Sequence, residues 1–302
     1  MPLLTDIALE HQAARIRLAQ VTANRSRVLW GRADVSALDA SWDAIAPVLT
    51  ARVVAAQVAA ARQSAPYMRQ VAPGPSAAVD PVMFGGSMVD GRDVGPALFG
   101  AVTSTKKAIR SGVAPRLAFE AGAAFLGVLV KAAVADAGRA SDAALATGKG
   151  YTRYIRVVSP GACSRCAILA GADRYYRHFE RHPACKCTSL PVKDDTKIPD
   201  GLFGSPTDYF ESLSRSEQDR VFTAGGAEAI RKGADPISVV NARRGAYTPR
   251  VTSGRASGRS SGAGIGYRRT AQQRLMPEQI IERAGADNEL AVELLRRNGY
   301  LR

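Results

Sequence analysis

Residues 163–187 read CSRCAILAGADRYYRHFERHPACKC, and the fold of the whole chain is best read outward from them. They hold all four cysteines of the 302-residue sequence, Cys163, Cys166, Cys185 and Cys187, and two of its three histidines, His178 and His182. Thiols gathered this tightly need a common reason, and tetrahedral Zn(II) supplies one. A C-x-x-C turn points two sulfurs at one ion, and a downstream His or Cys pair closes the shell. Cys163 and Cys166 form the first pair, while His182, Cys185 and Cys187 compete for the other two positions. Cys187 with either His182 or Cys185 is the preferred completion, the remaining residue standing behind the ligands and orienting them. His178 reads as a surface or packing histidine, and His11, alone on a basic helix, as solvent-exposed. Two disulfides would suit a small secreted domain, but no positively charged leader with an apolar core and cleavage site is apparent. A redox C-x-x-C would want a thioredoxin-like βαβ setting, which the flanking sequence does not offer.

On either side of the cluster the texture is that of short strands. Tyr151 to Val158 alternates and is β-branched or aromatic, leading through Ser159-Pro160-Gly161 into the first cysteine turn, and Arg174 to Arg177 forms a second short strand. Residues 149–198 are therefore expected to make a small α+β zinc ribbon or knuckle.

Upstream, residues 1–148 read as a helical domain. Apolar residues recur at helical spacing from Thr5 to Trp30 (Ile7, Ile16, Leu18, Val21, Val28, Leu29), and again from Ala37 to Arg62 (Leu38, Trp42, Ile45, Leu49, Val53, Val58). Pro47 is expected to kink the second run or mark its true beginning. Ala65 to Gly95, rich in Pro and Gly, reads as a long loop. Asp93 caps a helix that ends at Gly112, and Pro115 to about Ala137 forms a helix apolar on most of its circumference and central to the core. Downstream, 199–243 is a helical segment, with Ser214-Arg-Ser-Glu217 spaced as a capping box and one helix running on to Gly233. Residues 244–270 form a flexible basic linker and 271–302 a closing helical pair, Pro277 to Ala284 and Asn288 to Asn298, the latter with Leu290, Leu294 and Leu295 on one face. The expected class is mainly α, with the zinc module between helical parts.

Length and a 46% hydrophobic content permit two or three domains with a sizeable core, and an aromatic share of 6% means that core rests on Ala, Val, Leu and Ile. The balance of 41 Lys and Arg against 27 Asp and Glu gives +14, and only eight of the 41 are Lys. Arg binds phosphate and carboxylate bidentately, so nucleic acid or an acidic protein surface is a natural neighbour, although GC-rich coding also enriches Arg and Ala. The longest uncharged apolar run, Ala121 to Val130, is half the ~20 residues of a membrane span, and no membrane association is expected.

Cys163-Ser-Arg-Cys166-Ala-Ile-Leu-Ala-Gly171, followed by His182-Pro-Ala-Cys185-Lys-Cys187-Thr188, resembles the C-terminal signature of the phage Mu F-like minor head proteins, with Lys186 where that family usually has Arg. Glu217 to Phe222, Ala229 to Asp235, Val239 to Gly245, Arg274 to Gln279 and Leu294 to Tyr300 are similar to versions from actinobacterial tailed phages. The likeness spans about 150–302, and upstream it extends only to a helical, Ala/Arg-rich character. It implies a minor capsid protein inside the phage head, assembled in the host cytoplasm, near the portal and capsid proteins and in non-specific contact with packaged DNA.

Some proteins of that group are called capsid maturation proteases. A serine or cysteine protease needs a histidine beside its nucleophile, yet the histidines here fall in or near the metal cluster, and a ligating cysteine is no longer a nucleophile. A zinc-dependent nuclease needs an open coordination position and a carboxylate base. Glu180 is the nearby carboxylate, and four or five soft ligands suggest a closed structural site instead. The expectation is a structural protein with no catalytic residues, with protease as the runner-up.

Overall fold

The computed structural model describes residues 3–75, 78–159, 161–177, 179–182, 185–193, 197–242 and 275–301. The basic linker at 244–270, His178 and Pro183 lie outside the described residues. The chain divides into two units, Met1–Ser159 with Ala172–Leu202, and Pro160–Gly171 with Phe203–Arg302. Among the described residues it is mainly helical, with one small three-stranded sheet.

The first unit is built on three long helices: α1 (Leu4–Trp30), α2 (Leu38–Arg62) and α6 (Pro115–Gly148). Helix α1 has the expected length, but a different stripe is buried. Ala8, His11, Gln12, Arg15, Ala19, Thr22, Ala23, Ser26 and Leu29 repeat every three or four residues and face inward, whereas Val21 and Val28 are 46% and 67% exposed. Small side chains win here because they let α1 approach α6, which offers Ala118, Gly122, Gly127, Ala133, Ala137 and Gly138 on its own buried face. Helix α2 follows the expected pattern, burying Leu38, Trp42, Ile45, Leu49 and Val53, and it begins at Leu38 and runs through Pro47. Pro47 is therefore not its start.

Part of the expected loop is ordered. Helix α3 (Ser64–Val71) buries Tyr67, Met68 and Val71, with Pro66 in its first turn, where the missing N–H has no intrahelical partner to lose. A 3-10 turn, Pro81–Phe84, is capped by Asp80, which accepts from the Val82 amide. The single helix expected after Asp93 is two, α4 (Val94–Leu98) and α5 (Gly100–Arg110), and the Asp93 side chain does not cap the first. Helix α6 continues eleven residues past the expected end at Ala137.

Among the described residues two stretches, Val35–Val71 and Pro115–Gly148, are long and apolar enough by composition to cross a bilayer, a property that a search for one uncharged run overlooks. In the fold α6 nevertheless buries Asp136, Arg139 and Asp142.

Where α1, α5 and α6 meet, Trp30 stacks on Phe119 at 5.1 Å and meets Trp42 edge-on at 6.3 Å. A Cβ on Gly122 would lie 3.0 Å from Trp30 Cζ2 and would overlap the Thr105 hydroxyl, which is bonded to the Ala101 carbonyl. Gly122→Ala gains about 1 kcal/mol of helix propensity, but overpacking costs about 1–3 kcal/mol. The expected net result is a lower urea midpoint with a blue- or red-shifted tryptophan emission. A midpoint equal to or above wild type would mean that the Trp30 pocket yields.

The chain then forms β1 (Arg153–Val157), the one-turn helix α7 (Ser164–Ala167), β2 (Gly171–Arg174) and β3 (Thr188–Val192). The sheet order is β2-β1-β3, with β1 and β3 antiparallel in the register Arg153↔Val192 to Val157↔Thr188. The expected strand at Arg174 to Arg177 is displaced upstream to Gly171–Arg174. Strand β3 was not foreseen; it carries Pro191 and is an edge strand, the place in a sheet where proline is tolerated.

In the second unit follow α8 (Pro206–Glu211), α9 (Arg215–Phe222), α10 (Ala224–Arg231), α11 (Pro236–Ala242), α12 (Pro277–Ala284) and α13 (Asn288–Arg297). The capping box at Ser214 and Glu217 is present. The helix expected to reach Gly233 breaks at Thr223, whose φ of 66° leaves the helical region and whose hydroxyl accepts from the Gly226 amide to start α10. Helix α13 buries Ala291 and Leu295, while Leu290 is 37% exposed. The inward face is thus turned from the expected leucine stripe.

Candidate metal centre

Local backbone geometry sets the cysteines within each of the two boxes. Cys163 precedes α7, and its carbonyl accepts from the Cys166 and Ala167 amides at 2.9 and 3.0 Å, a turn that sets the two thiols on one side. Downstream, the Cys185 amide donates to the His182 carbonyl at 3.0 Å, and Cys187 leads directly into β3. The end of β1 is tied to the same segment by Ser159, whose hydroxyl donates to the Lys186 carbonyl at 2.6 Å.

Among the described residues, the ligand atoms of Cys163, Cys166 and His182 lie within 4.8 Å of one another, and so do those of Cys166, Cys185 and Cys187. No disulfide joins the cysteines. All five sequence-expected ligands are therefore gathered, and Cys166 belongs to both groups. In a tetrahedral zinc site with Zn–S near 2.3 Å the sulfurs stand about 3.8 Å apart, so shifts of about 1 Å would close either group on an ion. Cys166, Cys185 and Cys187 are 2%, 7% and 0% exposed, whereas Cys163 is exposed. A shallow cavity of about 350 Å³ lined by Gly161, Ala162, Cys163, Ser164, Arg220 and Val221 opens beside it. Glu180 is exposed and in neither group.

The packing behind the 179–187 segment was not legible in the sequence. Arg139 on α6 is buried and donates to the Cys185 carbonyl at 2.8 Å, to the Cys187 carbonyl at 3.2 Å and to Asp136 at 3.1 Å. Asp136 also pairs with Arg181. The Arg156 guanidinium lies 3.9 Å over the Phe179 ring and donates to the Glu180 carbonyl at 2.9 Å. Burial draws the pKa of Arg139 down from its ordinary value, opposed first by Cys185 and then by Asp136.

A second polar cluster corrects the reading of His11 as exposed. His11 is 8% exposed, stacks on Tyr67 with ring centroids 4.0 Å apart, and places Nε2 3.1 Å from Asp142. Arg15, fully buried, donates to Asp142 at 2.6 Å. Burial alone would raise the Asp142 carboxyl, but Arg15 and then His11 overcome it and hold its pKa at about 2. The helical period puts His11, Arg15 and Ala8 on one face of α1, and that repeat is the signal that could have placed His11 inside. The cluster closes on a glycine: a Cβ at Gly138 would sit 3.0 Å from Arg15 Cζ. It is a packed structural network.

Compared with known proteins, the chain matches no family model, no curated sequence and no solved structure.

Proposed function

We propose that this chain is a structural minor capsid protein of a tailed phage, of the Mu F-like type, held in the head near the portal, with its Cys/His cluster binding one structural Zn(II) in a ribbon- or knuckle-like module. The observation that carries the reading is the gathering of Cys163, Cys166, His182, Cys185 and Cys187, the residues of the C-x-x-C and H-P-x-C-x-C boxes, without a disulfide. Three soft, largely buried thiols suit a closed site that stabilises a fold more than an open one that activates water. The net charge of +14 suits a place beside packaged DNA, where counterion release favours binding without base recognition. Portal and capsid proteins are the proposed protein partners.

The exposed Cys163 near His182 favours a second reading, a thiol protease of capsid maturation. Elemental analysis and a scaffold-protein cleavage assay on the purified chain separate the two. About one zinc per chain and no cleavage is the expected result. Iodoacetamide-sensitive cleavage by a metal-free chain would replace the structural reading with the protease.

A further inference from the structure

Ligands drawn from short loops need something rigid to aim them, and α6 supplies a candidate. One turn of that helix presents Asp136 and Arg139, three residues apart and 8% and 7% exposed. Asp136 takes the Arg181 side chain, next to His182, and Arg139 spans the carbonyls of Cys185 and Cys187. The backbone on both sides of the described ligands His182, Cys185 and Cys187 is thereby tied to one helical turn. We propose that Arg139, held by Asp136, is the positioning residue of the metal centre: its guanidinium fixes the Cys185 and Cys187 backbone so that both sulfurs face the ion, and its charge offsets the negative charge of a zinc thiolate site.

The chemistry favours arginine specifically. Reaching two carbonyls and a carboxylate at once takes a planar fork with donors on three sides, which a lysine ammonium on a flexible stem does not reproduce. The Phe179 ring, 5.5 Å from Arg139 Cζ, packs beside the guanidinium and limits its movement. Groups that orient metal ligands in this way typically contribute 10–100-fold to metal affinity.

The role assigned to Arg139 rests on the zinc reading, and two readouts keep their failures apart. The first is the alkylation rate of each cysteine in the chelator-treated full chain, followed by peptide mass spectrometry. In Arg139→Met, Cys185 and Cys187 should react faster than in wild type while Cys163 is unchanged. The second is zinc affinity against a chromophoric chelator, with the Co(II) spectrum as a signature of ligand geometry. Arg139→Met should bind zinc about 10–100-fold more weakly with an altered spectrum, and Arg139→Lys should fall between. Should Arg139→Met fail to fold, Arg139→Lys carries the test on both readouts. Wild-type alkylation rates, affinity and spectrum in the folded variant would overturn the positioning role. A wild-type chain that takes up no zinc would instead sink the metal reading, and the alkylation rates alone would then decide whether Arg139 fixes the loop.

Discussion

Asp142→Asn is expected to destabilise the chain by about 3–5 kcal/mol, because it leaves a buried guanidinium without its counter-charge. Arg15 and Asp142 both have fully buried side chains and meet at 2.6 Å. Neither can turn to solvent when its partner is lost, so water cannot supply the missing solvation. Urea unfolding followed by circular dichroism reads the effect, and a loss under about 1 kcal/mol would show that the buried pair contributes little to the fold. Replacing both charges, as in Arg15→Met with Asp142→Leu, should recover much of the loss, since two apolar side chains of similar volume avoid both desolvation costs. The same pair sets an acid limit. The folded pKa of about 2 lies below the unfolded carboxylate value, so the stabilisation is complete above about pH 4 and is lost as pH falls toward 2. Wild type should therefore lose on the order of 2 kcal/mol more than Asp142→Asn across that window.

Cys166→Ser should abolish zinc retention, the second large effect. Cys166 is the one side chain common to both groups of ligand atoms, so its loss breaks either closure, and a serine hydroxyl is a poor substitute for a thiolate. Structural zinc in small modules carries an apparent binding free energy of about 10–16 kcal/mol, most of which appears as folding of the module. Far-UV dichroism should nonetheless fall only slightly, because α1, α2 and α6 hold most of the helix. Retention of stoichiometric zinc by Cys166→Ser, or its loss in His178→Ala, would overturn the assignment.

The five clustered candidates were legible because C-x-x-C and C-x-C spacings hold two sulfurs close together within each box. The long helices were legible too, since their 3.6-residue period survives in the sequence. Which face of α1 turns inward was not, because the apolar residues Val21 and Val28 point outward and the close α1–α6 approach selects Ala8, Ala19 and Ala23 instead. Strand β3 and the first turn of α3 were hidden by Pro191 and Pro66, each at a position where a proline costs little. Arg139 was invisible for a different reason. Besides Asp136, its partners are backbone carbonyls 46 and 48 residues downstream, and a carbonyl leaves no mark on residue identity.

The Arg15–Asp142 pair also sets a timetable for synthesis. The two residues are 127 positions apart, and a ribosome adding about 5–20 residues per second needs roughly 6–25 s to deliver the second after the first. Until then Arg15 lacks the carboxylate it meets in the fold, and the small residues of α1 lack the α6 face they pack against. The α1–α6 seam thus closes only once nearly half the chain has been made, and slowed elongation between the codons for Arg15 and Asp142 would lengthen the period before it can close.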